Sequence, residues 1–130
     1  MARAKPKLDW LTAAQQALNE DPAYRKLGTT DLTLGLALGE EERLVVFEAF
    51  EIAEVIENGD LRDADLVLRM TPRDWNAYLR QRAKGKGPTL TSLDLDERVF
   101  EAPSPLSELL LARYGLSLQA FVDAGARLAA

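Results

Sequence analysis

Residues 64–83 read ADLVLRMTPRDWNAYLRQRA, and this stretch decides the fold. It divides at Thr71. Before Thr71, Leu66, Leu68 and Met70 alternate with Val67 and Arg69, the period of a strand with one buried face. After it, Trp75, Tyr78 and Leu79 recur at helical spacing among Arg73, Asn76, Arg80 and Gln81. Thr71 suits an N-cap and Pro72 the first helical position. Asp74 suits the first turn, where it can reach back as a short capping box and meets the positive end of the helix dipole. The stretch is a strand, a sharp cap and an amphipathic helix, and both apolar faces can share one interior.

Working towards the N-terminus, residues 30–38 form the clearest strand, with Leu32, Leu34, Leu36 and Leu38 on one face. Gly35 in its middle marks a bulge or the close approach of another segment. Ahead of it, a helix is expected from about Leu8, capped by Asp9, with Trp10, Leu11, Ala14, Ala17 and Leu18 as its apolar stripe. A short helix over Pro22–Leu27 ends at Gly28. Residues 1–7 carry Arg3, Lys5 and Lys7 and read as a frayed tail. Gly39 and Glu40–Glu42 make a charged turn.

Arg43–Glu57 has two readings. A hairpin with strands Leu44–Glu48 and Ile52–Glu57 fits the β-branched and aromatic content. A helix fits the glutamates at the start and Asn58-Gly59 at the end. The turn Glu48-Ala49-Phe50-Glu51 has no glycine, which weighs against the hairpin. We take the hairpin as the working reading.

On the C-terminal side, Lys84-Gly85-Lys86-Gly87-Pro88 breaks the central helix. Leu93 and Leu95 alternate with Ser92, Asp94 and Asp96, which predicts a last strand within 90–101, ending near Val99-Phe100. Ser104 can cap a helix carrying Leu106, Leu109, Leu110 and Leu111, ended by Gly115. A final helix over Ser117–Leu128 carries Leu118, Phe121, Val122 and Leu128.

A chain of 130 residues with 47% hydrophobic and 28% charged residues is one domain with a genuine core, residues 1–130. A net charge of −5 argues against a general nucleic-acid binder. There is no cysteine and no histidine, so thiol and imidazole catalysis are excluded, and with them thiolate and imidazole metal sites. No catalytic constellation, cofactor motif or metal motif stands out, and the chain does not read as an enzyme. The basic N-terminus lacks the apolar core of a secretory signal, and no run approaches the ~20 apolar residues of a membrane span. A cytoplasmic location is expected.

The carboxylates Asp63 and Asp65, and Asp94, Asp96 and Glu97, could meet a hard cation, but EF-hand spacing is missing and a solvated strand face explains Asp94 and Asp96. The Lys84–Gly87 segment lacks the other P-loop positions and reads as a helix stop. Charge is segregated along the chain. Residues 66–93 hold Arg69, Arg73, Arg80, Arg82, Lys84 and Lys86 against Asp74, while residues 40–65 hold ten acids against two arginines. Arg80, Arg82, Lys84 and Lys86 are candidates for transient contact with an anionic membrane surface, against the alternative that they solubilise a helix face.

The form A-D-L-x-L-x-M followed by T-P-x-D-W, together with Trp10-x7-Leu18-Asn19-x-DPAYRKLG, resembles the small bacterial sterol-carrier-protein domains of the type-two, non-specific lipid-transfer class. The resemblance runs from about Trp10 to Arg82. It implies an α+β fold, a curved and mostly antiparallel sheet of about four or five strands, with helices on one face and at both chain ends. It also implies non-catalytic binding or transfer of a fatty acyl or sterol-like lipid in an internal apolar cavity, with no cofactor. The lining candidates are Leu34, Leu36, Phe47, Phe50, Leu68, Met70, Trp75, Tyr78, Leu79 and Phe121. Arg69, Tyr78 or Arg82 would stand at the mouth. Periodicity alone shows only which residues point inward, and close packing makes a filled core the default. The alternative function is therefore an interaction or dimerising module with a filled core, acting through the basic face of helix 72–83.

Overall fold

The computed structural model describes residues 6, 8–57, 59–102 and 105–129. Most of the tail expected over residues 1–7, the turn residue Asn58, the Ser104 cap and the Leu106 side chain lie outside the described residues. The central stretch folds as its sequence dictates. Strand β4 (Leu66–Met70) stops at Thr71, whose Oγ1 accepts the Asp74 N–H at 3.1 Å, and helix α3 (Pro72–Ala83) begins on Pro72. Trp75, Tyr78 and Leu79 are its buried stripe.

β4 lies parallel to β1 (Leu32–Leu38), and all other strand pairs are antiparallel. With β2 (Glu41–Glu48), β3 (Glu51–Ile56) and β5 (Phe100–Glu101), they make a five-stranded sheet in the order β3-β2-β1-β4-β5. Leu34, Leu36 and Leu38 of β1 and Leu68 of β4 are wholly buried on the helical side. On the other face Leu61 and Ala64 lie close. A Cβ added to Gly35 would stand 3.0 Å from both Ala64 Cβ and Leu61 Cδ2, so glycine is required here for close approach, while the bulge sits in β3, where Ala53 is the extra residue opposite Val46/Phe47.

The 43–57 segment is the hairpin. Its two-residue turn dispenses with glycine because Ala49, at φ +52°, is clamped: its carbonyl accepts the Thr30 N–H at 2.7 Å, and its own N–H donates to Asp31 Oδ1 at 3.0 Å. These bonds offset the roughly 1–2 kcal/mol that a left-handed residue with a Cβ costs. Helix α1 (Leu11–Asn19) lies on β3. Asn19 exchanges both backbone bonds of Ile52, at 2.7 and 3.0 Å, and so covers part of an edge strand.

Three local expectations are corrected. Asp9 does not cap α1; Trp10 occupies the cap position and makes no capping bond to the helix from its side chain, its ring being buried. Residues 90–97 are not a strand but helix α4 (Leu90–Glu97), so Asp94 and Asp96 are not a strand face. Thr89 caps it through the Ser92 N–H, and Gln119 Oε1 accepts the Leu90 N–H at 2.6 Å. Helical rotation separates Leu93 and Leu95, which a strand would place together, and leaves Leu95 79% exposed. The strand at Phe100 is there, two residues long. Finally, Gly115 ends nothing: α5 (Pro105–Ala129) is continuous. Burial of Leu111, Tyr114, Leu118 and Phe121 outweighs the ~1 kcal/mol that a helical glycine costs. The early short helix, α2 (Pro22–Arg25), is capped by Asp21, which accepts the Ala23 N–H.

Candidate functional site

The space between sheet and helices is centred on aromatic rings. Trp10 stacks on Trp75 with centroids 6.0 Å apart and meets Phe121 at 5.4 Å; Phe47 meets Phe121 edge-on at 5.8 Å. Of the expected lining residues, Leu34, Leu36, Phe47, Leu68, Trp75, Leu79 and Phe121 all lie in this core. Met70 and Tyr78 belong to it too, and they also border an open cleft of about 740 Å³. Phe50 stands apart at the hairpin turn, 45% exposed.

The cleft lies where β4 ends, between α3 and α4. Met70, Ala77, Leu93 and Val99 supply its apolar wall, and Arg69, Gln81, Glu97 and Arg98 its polar one. A second cleft of about 290 Å³ opens on the other side of α4, with Leu66, Leu95, Phe100 and Leu111 in its wall and Arg98 again at its edge. Sequence reading missed both, because α4 itself was read as a strand. The usable signal was Thr89, a good N-cap three residues before Ser92.

A polar network holds the first cleft's inner corner. Arg82 donates two 2.8 Å bonds to the Asp123 carboxylate. Gln119 Nε2 donates to Asp123 Oδ1 at 2.9 Å and to Tyr78 Oη at 3.3 Å. The Tyr78 hydroxyl donates to the Pro88 carbonyl at 2.8 Å, and Arg82 Nη1 to that of Gly87 at 3.1 Å. Burial raises the Tyr78 pKa, offset in part by Gln119 and Arg82. Burial also acts to raise the Asp123 pKa, but the hydrogen bonds from Arg82 and Gln119 outweigh it and hold the carboxyl below its ordinary value. A second buried polar group, the Tyr24 hydroxyl, has no hydrogen-bond partner among the described residues. Burial pushes its pKa up to about 12, and the nearby Thr30 and Ser117 hydroxyls, which bond each other at 2.7 Å, offset this only in part.

The network settles where several candidates stand. Arg82 faces inward in an ion pair, its side chain 17% exposed, so it does not share the open face of Arg80, Lys84 and Lys86. Arg69 is bound by both nitrogens of its fork to Glu101, at 2.6 and 3.2 Å. Two of the carboxylates weighed as cation ligands are occupied by the backbone: Asp65 Oδ2 accepts the Thr33 N–H and Asp94 Oδ1 the Phe100 N–H, each at 2.8 Å. No cluster of metal-ligating residues occurs among the described residues, and none of their helices is long and apolar enough to cross a membrane.

α4 is anchored at few points. Leu90 is its one buried residue, and it lies between Gly85 and Gly87, both at positive φ, and the left-handed Arg98. Its amides should therefore exchange with deuterium well before those of α3 and of residues 117–126, as mass spectrometry of peptides would show. Equal protection would mean that α4 opens only with the whole fold.

No protein-family model matches the chain, and no curated protein matches it. Solved structures do. The architecture is that of an α+β protein with helices covering one face of an open, mostly antiparallel sheet. The crystal structure of sterol carrier protein 2 superposes with a TM-score of 0.66 over 91% of this chain and 93% of that one, at 23% identity. The solution structure of the conserved hypothetical protein TT1886 from Thermus thermophilus, described as possibly a sterol carrier protein, gives 0.59 over 100% and 93%, at 21% identity. The chain thus has the sterol carrier protein 2 fold.

Proposed function

We propose that this chain is a non-catalytic, cytoplasmic carrier that binds a long-chain apolar ligand, fatty acyl or sterol-like. The observation that carries the reading is the cleft of about 740 Å³ beside the core, bordered by the predicted Met70 and Tyr78. Its volume falls in the ~300–1,000 Å³ range of small-molecule sites. The likeness to the sterol carrier protein 2 fold supports the same reading. In it, the ligand passes through the cleft towards Leu34, Leu36, Leu68, Trp75, Leu79 and Phe121, gaining ~25 cal/mol per Å² of apolar surface buried. Arg80, Lys84 and Lys86, exposed around the end of α3, would meet an anionic membrane surface transiently.

Trp75 is wholly buried beside Trp10, so ligand in the interior should shift tryptophan emission saturably. Leu68→Phe should abolish that shift while lowering stability by less than the ~1–3 kcal/mol of an overpacked core, since a yielding interior absorbs the added volume. Native mass spectrometry of protein purified from cells should show a co-purifying lipid. If neither palmitate nor a long-chain alcohol gives a saturable response, and Leu68→Phe carries the full overpacking cost, the carrier reading fails in favour of a filled-core interaction module.

A further inference from the structure

We propose that Arg98 selects the carboxylate of a long-chain fatty acid at the junction of the two clefts. The inference rests on the carrier reading and assigns its head-group specificity. The three residues expected at the mouth are engaged elsewhere: Arg69 with Glu101, Arg82 with Asp123, and Tyr78 with Pro88 and Gln119. Arg98 differs on each count. It is the residue common to the walls of both clefts. Its guanidinium forms no hydrogen bond or ion pair with any described residue. It also closes α4 with φ +54°, a conformation that glycine adopts without strain and that residues with a Cβ adopt at a cost. An arginine held there is spent on its side chain, not on its backbone.

The charged groups that border the clefts with Arg98 are mostly acidic, and none of them bonds its guanidinium fork, which an incoming anion must reach in competition with them. Asp74 and Glu97 border the first cleft, Glu97 with an exposed side chain, and Asp94 borders the second with one oxygen taken by the Phe100 N–H. The guanidinium fork matches a carboxylate in two parallel bonds, while the apolar walls on either side, Leu93 and Val99 in one cleft and Leu66 and Phe100 in the other, suit the chain behind it.

Palmitate and 1-hexadecanol share a chain and differ in the head. Titrated separately at neutral pH and low salt, palmitate should bind the unaltered protein about ten-fold more tightly. Arg98→Gly relieves the backbone while removing the charge. It should erase that preference by weakening palmitate alone, and Arg98→Lys should restore part of it. Circular dichroism and urea midpoints would verify that both variants fold. A palmitate preference that survives Arg98→Gly, or a wild-type protein that binds both ligands equally, overturns the assignment and leaves the carrier reading standing. A wild-type protein that binds neither overturns both.

Discussion

Replacing Gly125 by alanine should destabilise the protein by about 2–3 kcal/mol, although the same change in an unhindered helix stabilises by about 1 kcal/mol. A Cβ at Gly125 would fall against the six-membered ring of Trp10, 2.6 Å from Cδ2 and nearer still to Cε3 and Cζ3. Trp10 cannot step aside, being 3% exposed and held between Trp75 and Phe121. Gly115, in the same helix, is the control. A Cβ there would meet only Thr91 Oγ1, at 3.3 Å, on an exposed side chain free to turn. Gly115→Ala should therefore raise stability by about 0.5–1 kcal/mol. Urea denaturation of the two variants decides the matter. If both gain stability, Trp10 is not fixed as described.

Asp123→Ala should cost about 2 kcal/mol. The value lies between the ~0–1 kcal/mol of exposed pairs and the 3–5 kcal/mol of breaking a buried one, because the Arg82 and Asp123 side chains are 17% and 24% exposed. The loss comes mostly from leaving the Arg82 guanidinium and Gln119 without their acceptor. Changing both Arg82 and Asp123 to leucine should then cost less than Asp123→Ala alone, since no half-buried charge is stranded. The pH dependence has a definite sign. The Asp123 carboxyl titrates lower in the folded protein than in the unfolded chain. Its contribution is present above the unfolded value of about 3.9 and is lost as pH falls through the folded one. The stability gap between wild type and Asp123→Ala should accordingly close on acidification below about pH 4. A gap that stays constant down to pH 2 would show that the carboxylate is not the source.

The sequence carried much of this architecture and little of the site. Thr71-Pro72 placed a boundary because capping is local chemistry, settled within four residues. Strand β1 and the hairpin were legible for a similar reason: alternation specifies a half-buried strand wherever it occurs. The errors arose where distant residues decide. Leu93 and Leu95 alternate like a strand, and against that pattern stand the local Thr89 cap and the acceptor that Gln119 offers to Leu90 from 29 positions away. Gly115 looks like a terminator until the stripe on both sides of it finds Trp10 and the sheet. Arg98 carried no signal at all, since its claim rests on two clefts that exist only because α4 is a helix. The mouth residues were legible in part, and Arg69 and Tyr78 do border the first cleft. Arg69 and Arg82 were visible as cations, but their partners Glu101 and Asp123 lie 32 and 41 positions along the chain.

The buried tyrosines have a consequence for how the molecule responds to protons. Tyr24 and Tyr78 are displaced upward and Asp123 downward, each away from neutrality. Histidine and cysteine, the side chains that ordinarily titrate between these ranges, are missing from the sequence. None of these three groups therefore changes charge across the middle of the pH scale, and no imidazole or thiol does so in their place. Across that range the Tyr78 hydroxyl at the cleft and the Asp123 carboxylate behind it keep one fixed state of charge, so the hydrogen bonds that tie α3 to α5 keep one pattern of donors and acceptors.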